Sequence, residues 1–457
     1  MLLLKFTLAV LSIIITGYAV FRLFPGPKKE VPPGEVLCLS FGLGVGWVGL
    51  EAFLLTLFKY PLSLSSLVSF QAALVIFAVL KLKKGFFCRC NASWYKQKIY
   101  LSPLAILFLA IIAWEIAYVF LKASSLPFNA WDAWASWGFK AKVFFQERAF
   151  PARYCAGFPG FPHPDYPVLI PFVETYIYFF LGKIDEALIK LFCSFFYAAT
   201  ISLFYYQLKK RFKAEFALGG CLVLATIPNL VNAASTAYVD VPLAFYITAG
   251  VLYIWRYLKE GDNFFLILGT FFIGLGMWVK NEGFGFWLAL VLTCLVTCRL
   301  FKPEIDKKKF FSLIVLIPAL IYLPWFLFKH YFRLGVTYFQ GTAWNLGDLI
   351  KERLPLALNI WFGRGLDTGR WNILGLGFII ALAWFFIRPR EKLAWFFLLI
   401  IIFQLGFYFT VYIIWPISLP DLELQIFNSV DRLPLQLVTL VLFFICLQAG
   451  DKWRANC

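Results

Sequence analysis

The sequence predicts an all-α, polytopic integral membrane protein of about thirteen transmembrane helices, with further interfacial helices in its outer loops. Three observations predict it. Of 457 residues, 61% are hydrophobic and only 15% charged, whereas a soluble domain carries roughly 25% charged residues. Apolar runs of about 20 residues, the length a helix needs to cross the hydrocarbon core, recur from one end of the chain to the other. The basic residues crowd into alternate connections between those runs, as the positive-inside rule expects.

Taken in order, the apolar runs place spans near 3–22, 35–58, 62–82, 99–122, 186–207, 214–232, 241–257, 263–280, 283–300, 310–328, 372–387, 392–415 and 432–449. The first lacks a small-residue cleavage site and reads as a retained helix rather than a signal peptide. The connections Arg22–Lys29, Lys81–Lys98, Lys209–Lys213, Arg256–Lys259, Arg299–Lys309, Arg388–Lys392 and Lys452–Arg454 hold more than half of the 42 Lys and Arg residues, and all fall on one side. That side is cytoplasmic by the charge rule, which puts the N-terminus outside and the C-terminus in the cytoplasm. The net charge of +17 therefore reflects membrane sidedness and does not point to nucleic acid. Ten cysteines make no disulfide framework, because only Cys155 falls clearly in an outer loop. Cys88 and Cys90 are too small a set for zinc, and the sequon at Asn91 lies in a cytoplasmic connection.

Two outer connections are long enough to carry function, residues 122–185 and 332–370. The first contains the stretch Phe158–Gly182, where Pro162, Pro164, Pro167 and Pro171 delay any helix. The apolar run after them reads as a helix lying at, or dipping into, the outer interface. The second is expected to hold an interfacial helix around Leu346–Trp361. Earlier in the first loop stands "NAWDAWASWGFKAK", residues 129–142. In a helix Asp132, Ser136 and Lys140 would share one face. Trp131, Trp134 and Trp137 would form a neighbouring stripe at headgroup level, where indoles are favoured. Such a segment reads either as an interfacial anchor with a solvated aspartate or as one wall of a site.

Other outer residues carry the same two readings. Asp240, shortly before Pro242, suits a helix N-cap or a site. Lys280, Asn281 and Glu282 form either a solvated hairpin tip or the rim of a polar cavity. His163 and Asp165 sit among prolines as turn formers or ligands. Arg432, outside the last span, is either a snorkelling anchor or a phosphate partner. Together these residues give one membrane face carboxylates, cations and aromatic planes, which suits a substrate with polar and lipid parts. A hydroxyl acceptor needs a nearby carboxylate to take its proton. A phosphate leaving group needs cations to hold its growing charge.

The motifs "WDAWASWGFKAK", "HPDYPVLIP", "YVDVPLAF" and "KNEG", in that order, resemble the GT-C superfamily of polyprenyl-phosphate-sugar-dependent glycosyltransferases, which includes protein O-mannosyltransferases and the aminoarabinose transferases of lipid A. The likeness covers roughly residues 101–285 and, more weakly, the tail at Arg432. It implies a GT-C-like fold with a catalytic core at 99–300 containing the outer loop 123–185. Residues 1–98 would be a three-helix extension before it, and 301–457 would be C-terminal helices with the outer loop 332–370. It implies Asp132 as general base, Asp240 as a residue positioning the acceptor or the catalytic loop, and Lys280, Glu282 and Arg432 around the donor phosphate. His163, Asp165, Lys140 and Trp134 are further candidates for binding substrate. The donor would be a polyprenyl-phosphate-linked sugar, transferred with inversion to a glycan, lipid or protein hydroxyl. The site would lie on the extracytoplasmic face of the cytoplasmic (inner) membrane. No cofactor is required on this reading; the outer loops hold no Asp-X-Asp metal site, which favours a metal-independent member and leaves one divalent ion open, and no Gly-rich nucleotide loop is present. The large soluble C-terminal domain of oligosaccharyltransferases is missing, which argues against transfer of a whole oligosaccharide. The alternative is a transporter or flippase of an amphipathic lipid-linked substrate, for which the sequence shows no inverted repeat.

Overall fold

The computed structural model describes residues 1–28, 30–82, 102–151, 154, 163–334, 346–388, 392–415 and 417–454. Cys88, Cys90, Asn91 and Cys155 lie outside the described residues. Those described form helices and no strands, and their six cysteines are buried free thiols. Helices α1 (Leu2–Leu23), α2 (Pro33–Leu57), α3 (Leu64–Leu82) and α4 (Pro103–Ser124) come first. The first long loop carries α5 (Gly138–Glu147) and α6 (Leu169–Leu181). Then follow α7 (Glu186–Lys209), α8 (Ala214–Ala225), α9 (Pro228–Ser235), α10 (Asp240–Glu260), α11 (Asn263–Val279), α12 (Asn281–Phe301) and α13 (Lys307–Tyr331). The second long loop carries α14 (Leu346–Gly365) and α15 (Thr368–Trp371), before α16 (Leu374–Ile387), α17 (Ala394–Ile414), α18 (Leu419–Ser429) and α19 (Val438–Ala449).

Each of the predicted spans has a helix at its centre. Among the described residues, 9 helices are long and apolar enough to cross a membrane, or 10 if α8 and α9, bent by 64° at Pro228, make one span. The other three, α11, α16 and α19, are apolar but shorter. The chain is a multi-pass membrane protein.

Helix α10 is the hub, buried at every residue from Asp240 to Leu258. It turns into α11 through Gly261, whose φ of +64° is left-handed, with its N–H donating to the Tyr257 carbonyl at 2.8 Å. That geometry favours glycine. Asp262 then caps α11, accepting from the Phe264 N–H at 3.1 Å. The two helices touch backbone to backbone. A Cβ on Gly269 would stand 2.8 Å from the Gly250 carbonyl oxygen, and one on Gly250 would stand 3.1 Å from that of Gly269. Small residues at such a crossing let membrane helices approach closely. Here the crossing fixes the distance between the start of α10, Asp240, and the end of α11, Lys280.

At the other end of α10 lies a second ionic cluster. Glu35 of α2 is fully buried and accepts from Lys210 Nζ at 2.6 Å, Gln207 Nε2 at 2.7 Å and Tyr253 OH at 2.5 Å. Arg256 Nη1 stands 3.8 Å away and Arg256 Nε pairs with Glu260 at 2.9 Å. This cluster ties α2, α7 and α10 together.

One expectation needs correction. Helix α6, read from the sequence as lying at, or dipping into, the outer interface, has no face left free for lipid headgroups or water: all of its residues except Phe179 and Phe180 are buried. It is enclosed by α1, α2 and α5. Its apolarity serves packing against these helices. Helix α14 forms where an interfacial helix was expected, packed on α17 and α18.

Replacing Gly269 with valine should force α10 and α11 apart. Overpacking of this kind costs about 2 kcal/mol, so thermal unfolding of the detergent-purified protein should begin at a lower temperature than wild type. An unchanged unfolding curve would show that the crossing tolerates a side chain.

Candidate active site

The segment bearing Asp132 is held from below by the first two turns of α7. Glu186 accepts the Phe128 N–H at 2.9 Å through Oε2 and pairs with Lys142 through Oε1. Four residues on, Lys190 is buried and donates to the carbonyls of Leu126 and Pro127 at 3.1 and 3.2 Å, and to Asn129 Oδ1 at 3.2 Å. A buried ammonium needs such acceptors, and by taking them it fixes the chain just ahead of Asp132. The helix then begins with a π turn, Ala133–Trp137, in which the Gly138 N–H reaches back to the Ala133 carbonyl. A Cβ at Gly138 would run into Phe128 and that same carbonyl. π turns are rare and frequently mark functional sites.

Around Asp132 the structure gathers side chains from distant parts of the chain. Arg432 Nη1 lies 2.6 Å from Asp132 Oδ2, while its Nε and Nη2 donate to Asp240 Oδ2 at 3.0 and 2.9 Å. The guanidinium also stacks on Tyr238, 4.2 Å from the ring centroid. Lys280 Nζ donates to Asp240 Oδ1 at 3.0 Å and lies 2.7 Å from Glu282 Oε1. Asp240 is completely buried, whereas Asp132 and Arg432 keep 28% and 22% of their side-chain surface exposed. The reachable part of the site is thus the Asp132–Arg432 pair. Burial by itself would lower the pKa values of Lys280 and Arg432, but the carboxylates outweigh it and both are raised: Lys280 by Asp240 and Glu282, Arg432 by Asp240 and Asp132. Both stay cationic at any physiological pH.

Beside this cluster stands a second one. Asp165 is buried and accepts from Asn281 Nδ2 at 2.8 Å, with Lys329 Nζ 3.9 Å away. His163 takes a left-handed backbone, φ +51°, which turns its carbonyl onto Lys140 Nζ at 2.7 Å. The charged groups acting on His163 are Asp165, Lys140, Asp132 and Lys280, so the two clusters adjoin. Lys140 is fully buried and lies over the rings of Trp137 and Tyr154, 5.2 and 5.9 Å from their centroids. Burial pushes its pKa down to about 7, against the opposing pull of Asp165.

Of the residues singled out from the sequence, Asp132, Asp240, Lys280, Glu282 and Arg432 meet in one network, with Asp165, His163 and Lys140 adjoining it. Trp134 is half exposed and packs edge-to-face on Trp131 at 5.0 Å. The tryptophan stripe is corrected: Trp137 is buried against Tyr166, with ring centroids 5.6 Å apart, rather than facing the headgroups. Asp132, Ser136 and Lys140 share no partner either. Through the π turn, Ser136 goes into the core and Lys140 goes to the His163 carbonyl. Lys190, Glu186, Tyr238 and Lys329 were missed. Lys190 carried a signal, a lysine inside the predicted span 186–207 one turn after Glu186. Tyr238 stood within "YVDVPLAF" without one.

The fold and this cluster define a class: a polytopic helical membrane protein with an ionic site at one end of its central helix. Residues 165–339 match the family model described as dolichyl-phosphate-mannose-protein mannosyltransferase. The match supports the GT-C glycosyltransferase resemblance. That description names a family which transfers mannose from a dolichyl-phosphate carrier to protein. Comparison with curated proteins and with solved structures finds no match. The matched segment carries Asp165, Asp240, Lys280 and Glu282; Asp132 and Arg432 lie on either side of it.

Lys140 should give the fold a distinct pH dependence. Between about pH 7 and its unfolded value of about 10.4, the unfolded chain holds a proton on this lysine that the folded chain has released. Stability therefore rises with pH across that window and is level, at its lower value, beneath it. In Lys140→Met this contribution vanishes. The unfolding temperature of wild type relative to the variant should climb from pH 7 to pH 9.5, and a constant difference would contradict the buried, weakly basic ammonium.

Proposed function

We propose that this protein transfers a sugar, mannose by its family likeness, from a polyprenyl-phosphate carrier to a protein hydroxyl on the extracytoplasmic side of the membrane. Asp132 is the general base. The observation that carries this reading is the single guanidinium of Arg432 shared between Asp132 and the buried Asp240, with Lys280 on the far oxygen of the same Asp240. It sets a partly exposed carboxylate beside cations suited to a phosphate.

The acceptor oxygen attacks the anomeric carbon as the bond from that carbon to the phosphate oxygen breaks. The acceptor proton passes to Asp132, and polyprenyl phosphate leaves with the electron pair. Attack from the face opposite the leaving group inverts the anomeric configuration. Arg432 has two tasks in this scheme. Without donor it neutralises Asp132; an arriving phosphate competes for the N–H groups of Nη1, which weakens that pairing and frees the Asp132 carboxylate as a base. The buried Asp240 keeps its two bonds to Arg432 throughout and so holds the guanidinium in reach of both. Glu282 Oε2, buried without a hydrogen-bond partner, is an acceptor suited to a sugar hydroxyl. The extracytoplasmic side is supported by the basic residues gathered at the opposite end of α10, around Glu35.

Asp132→Asn keeps the shape of the side chain and removes its basicity. General-base catalysis contributes at least about a hundredfold. Sugar transfer from a polyprenyl-phosphate-linked mannose to a protein acceptor should fall by that factor or more, in a variant that still purifies as a folded monodisperse species. Wild-type turnover by this variant would exclude Asp132 as the base.

A further inference from the structure

The neighbour of Arg432 in the chain points the other way. Asp431 faces the second long loop, where its Oδ2 pairs with Arg370 Nη1 of α15 and lies 3.7 Å from Arg364 Nη1 of α14. Both arginines are themselves fixed. Arg370 Nε donates to Asp367 Oδ2 at 2.9 Å, and Arg364 lies over Phe427 of α18, 4.9 Å from the ring centroid. The loop they sit on is fastened at two further places. Arg353 of α14 donates to the Ile413, Trp415 and Ile417 carbonyls at the end of α17. Asn372 donates to the Val223 carbonyl at 2.8 Å, close to the break between α8 and α9. On the other side of the turn, the Arg432 N–H donates to the Ser429 carbonyl at 2.9 Å and Ser429 Oγ shares a hydrogen bond with Tyr412 OH at 2.6 Å.

We infer that Asp431 is a positioning residue for this site: gripped by Arg364 and Arg370, it fixes the turn from which Arg432 reaches Asp132 and Asp240, and it thereby couples the second long loop to the subsite for the donor phosphate. The inference rests on the reading of Arg432 given above. Its physical basis is how two adjacent residues are held. Side chains on consecutive residues share one peptide unit, so a side chain anchored on one side limits where its neighbour can swing on the other. Arg432 must contact both Asp132 and Asp240 within hydrogen-bond distance and also offer Nη1 to a phosphate. Such a device tolerates little slack, since active groups must be held to within about 0.5 Å of their working geometry. The Asp431 pair is partly exposed on both sides, and pairs of that kind contribute little to stability. Its effect should appear in binding at the site and not in unfolding.

A double-mutant cycle separates these possibilities. The detergent-purified full chain is titrated with farnesyl monophosphate, with tryptophan fluorescence reporting the dissociation constant, for wild type, Asp431→Asn, Arg432→Lys and the double variant. The cycle predicts that Asp431→Asn weakens binding about tenfold with little change in unfolding temperature, and that Asp431→Glu recovers most of the loss. In the Arg432→Lys background the Asp431→Asn change should cost almost nothing more, because the residue through which it acts is already altered. If the two losses simply multiply, Asp431 does not act through Arg432 and the inference is wrong, whatever Asp132→Asn does to transfer. If wild type fails to bind the phosphate at all, the donor-phosphate reading itself falls and takes the inference with it. Arg370→Gln runs the same cycle from the loop side should Asp431→Asn not fold.

Discussion

The buried carboxylate of Asp240 is the constraint on which the site depends. A charge with no exposed surface is costly unless it is paired and fully hydrogen-bonded. Asp240 answers this with Lys280 on one oxygen and two bonds from Arg432 on the other. Those partners come from the end of α11 and from the turn after α18, so meeting the demand of one aspartate brings three segments together. Arg432 then has one nitrogen to spare, and it extends to Asp132. The loop segment that carries the proposed base is in this way docked onto a charge compensation that the core requires in any case. Removing either cation from this set would leave one oxygen of a fully buried carboxylate without its partner. That is a harsher change than removing the exposed end of the network at Asp132.

Helix α10 also measures the distance between two polar layers. Its 21 residues at about 1.5 Å each give roughly 30 Å, close to the thickness of the hydrocarbon core. Asp240 stands at one end, and Arg256 and Glu260 stand at the other with Glu35, Lys210 and Gln207. Both clusters satisfy their charges with partners from several helices, which leaves the long middle of α10 uncharged and packed, its Tyr246 and Thr248 hydroxyls bonded to the Gly42 carbonyl and to Thr439. The Glu35 end is surrounded by the basic connections of α7 and α10. The Asp240 end takes its nearest cations, Lys280 and Arg432, into ion pairs with Asp240. A bundle organised in this way has a preferred orientation in a membrane and a preferred face for chemistry.

Much of this was legible in the sequence, and the rest was not for identifiable reasons. Membrane spans depend on local apolarity and length, so helices such as α1, α2 and α17 fall within a few residues of their predicted places. Sidedness depends on counted Lys and Arg, and it put Asp132, Asp240, Lys280 and Arg432 on one face, as their meeting in one network requires. The pairing itself was not readable: Arg432 and Asp240 are 192 residues apart, and only the fold decides that they touch. The misreading of α6 has a general cause. An apolar helix looks the same whether lipid or protein surrounds it, and nothing within Leu169–Leu181 reports that α1, α2 and α5 enclose it. Trp137 was misplaced because regular three-residue spacing assumes an α-helix, and the π turn at Ala133–Trp137 rotates the later side chains away from that spacing.

The depth of the site is the remaining link between structure and chemistry. A lipid-linked sugar carries its phosphate at headgroup level, with the polyprenyl chain below it in the hydrocarbon and the sugar above it in water. An enzyme that draws its donor from the membrane must therefore present cations at that depth rather than in mid-bilayer or in a soluble lobe. Here the partly exposed Asp132–Arg432 pair is flanked by Trp131 and Trp134, exposed by 69% and 45%, and indoles favour the same interfacial depth. The ionic cluster begins where the apolar length of α10 ends. Under the proposed function, the carbon under attack lies one bond beyond the phosphate, on the watery side, where an acceptor hydroxyl can approach Asp132 while the lipid stays in place. A site built for translocation would instead need its charges near the middle of a broken helix. In this chain α10 is continuous and buried, and its charged residues stand at its two ends.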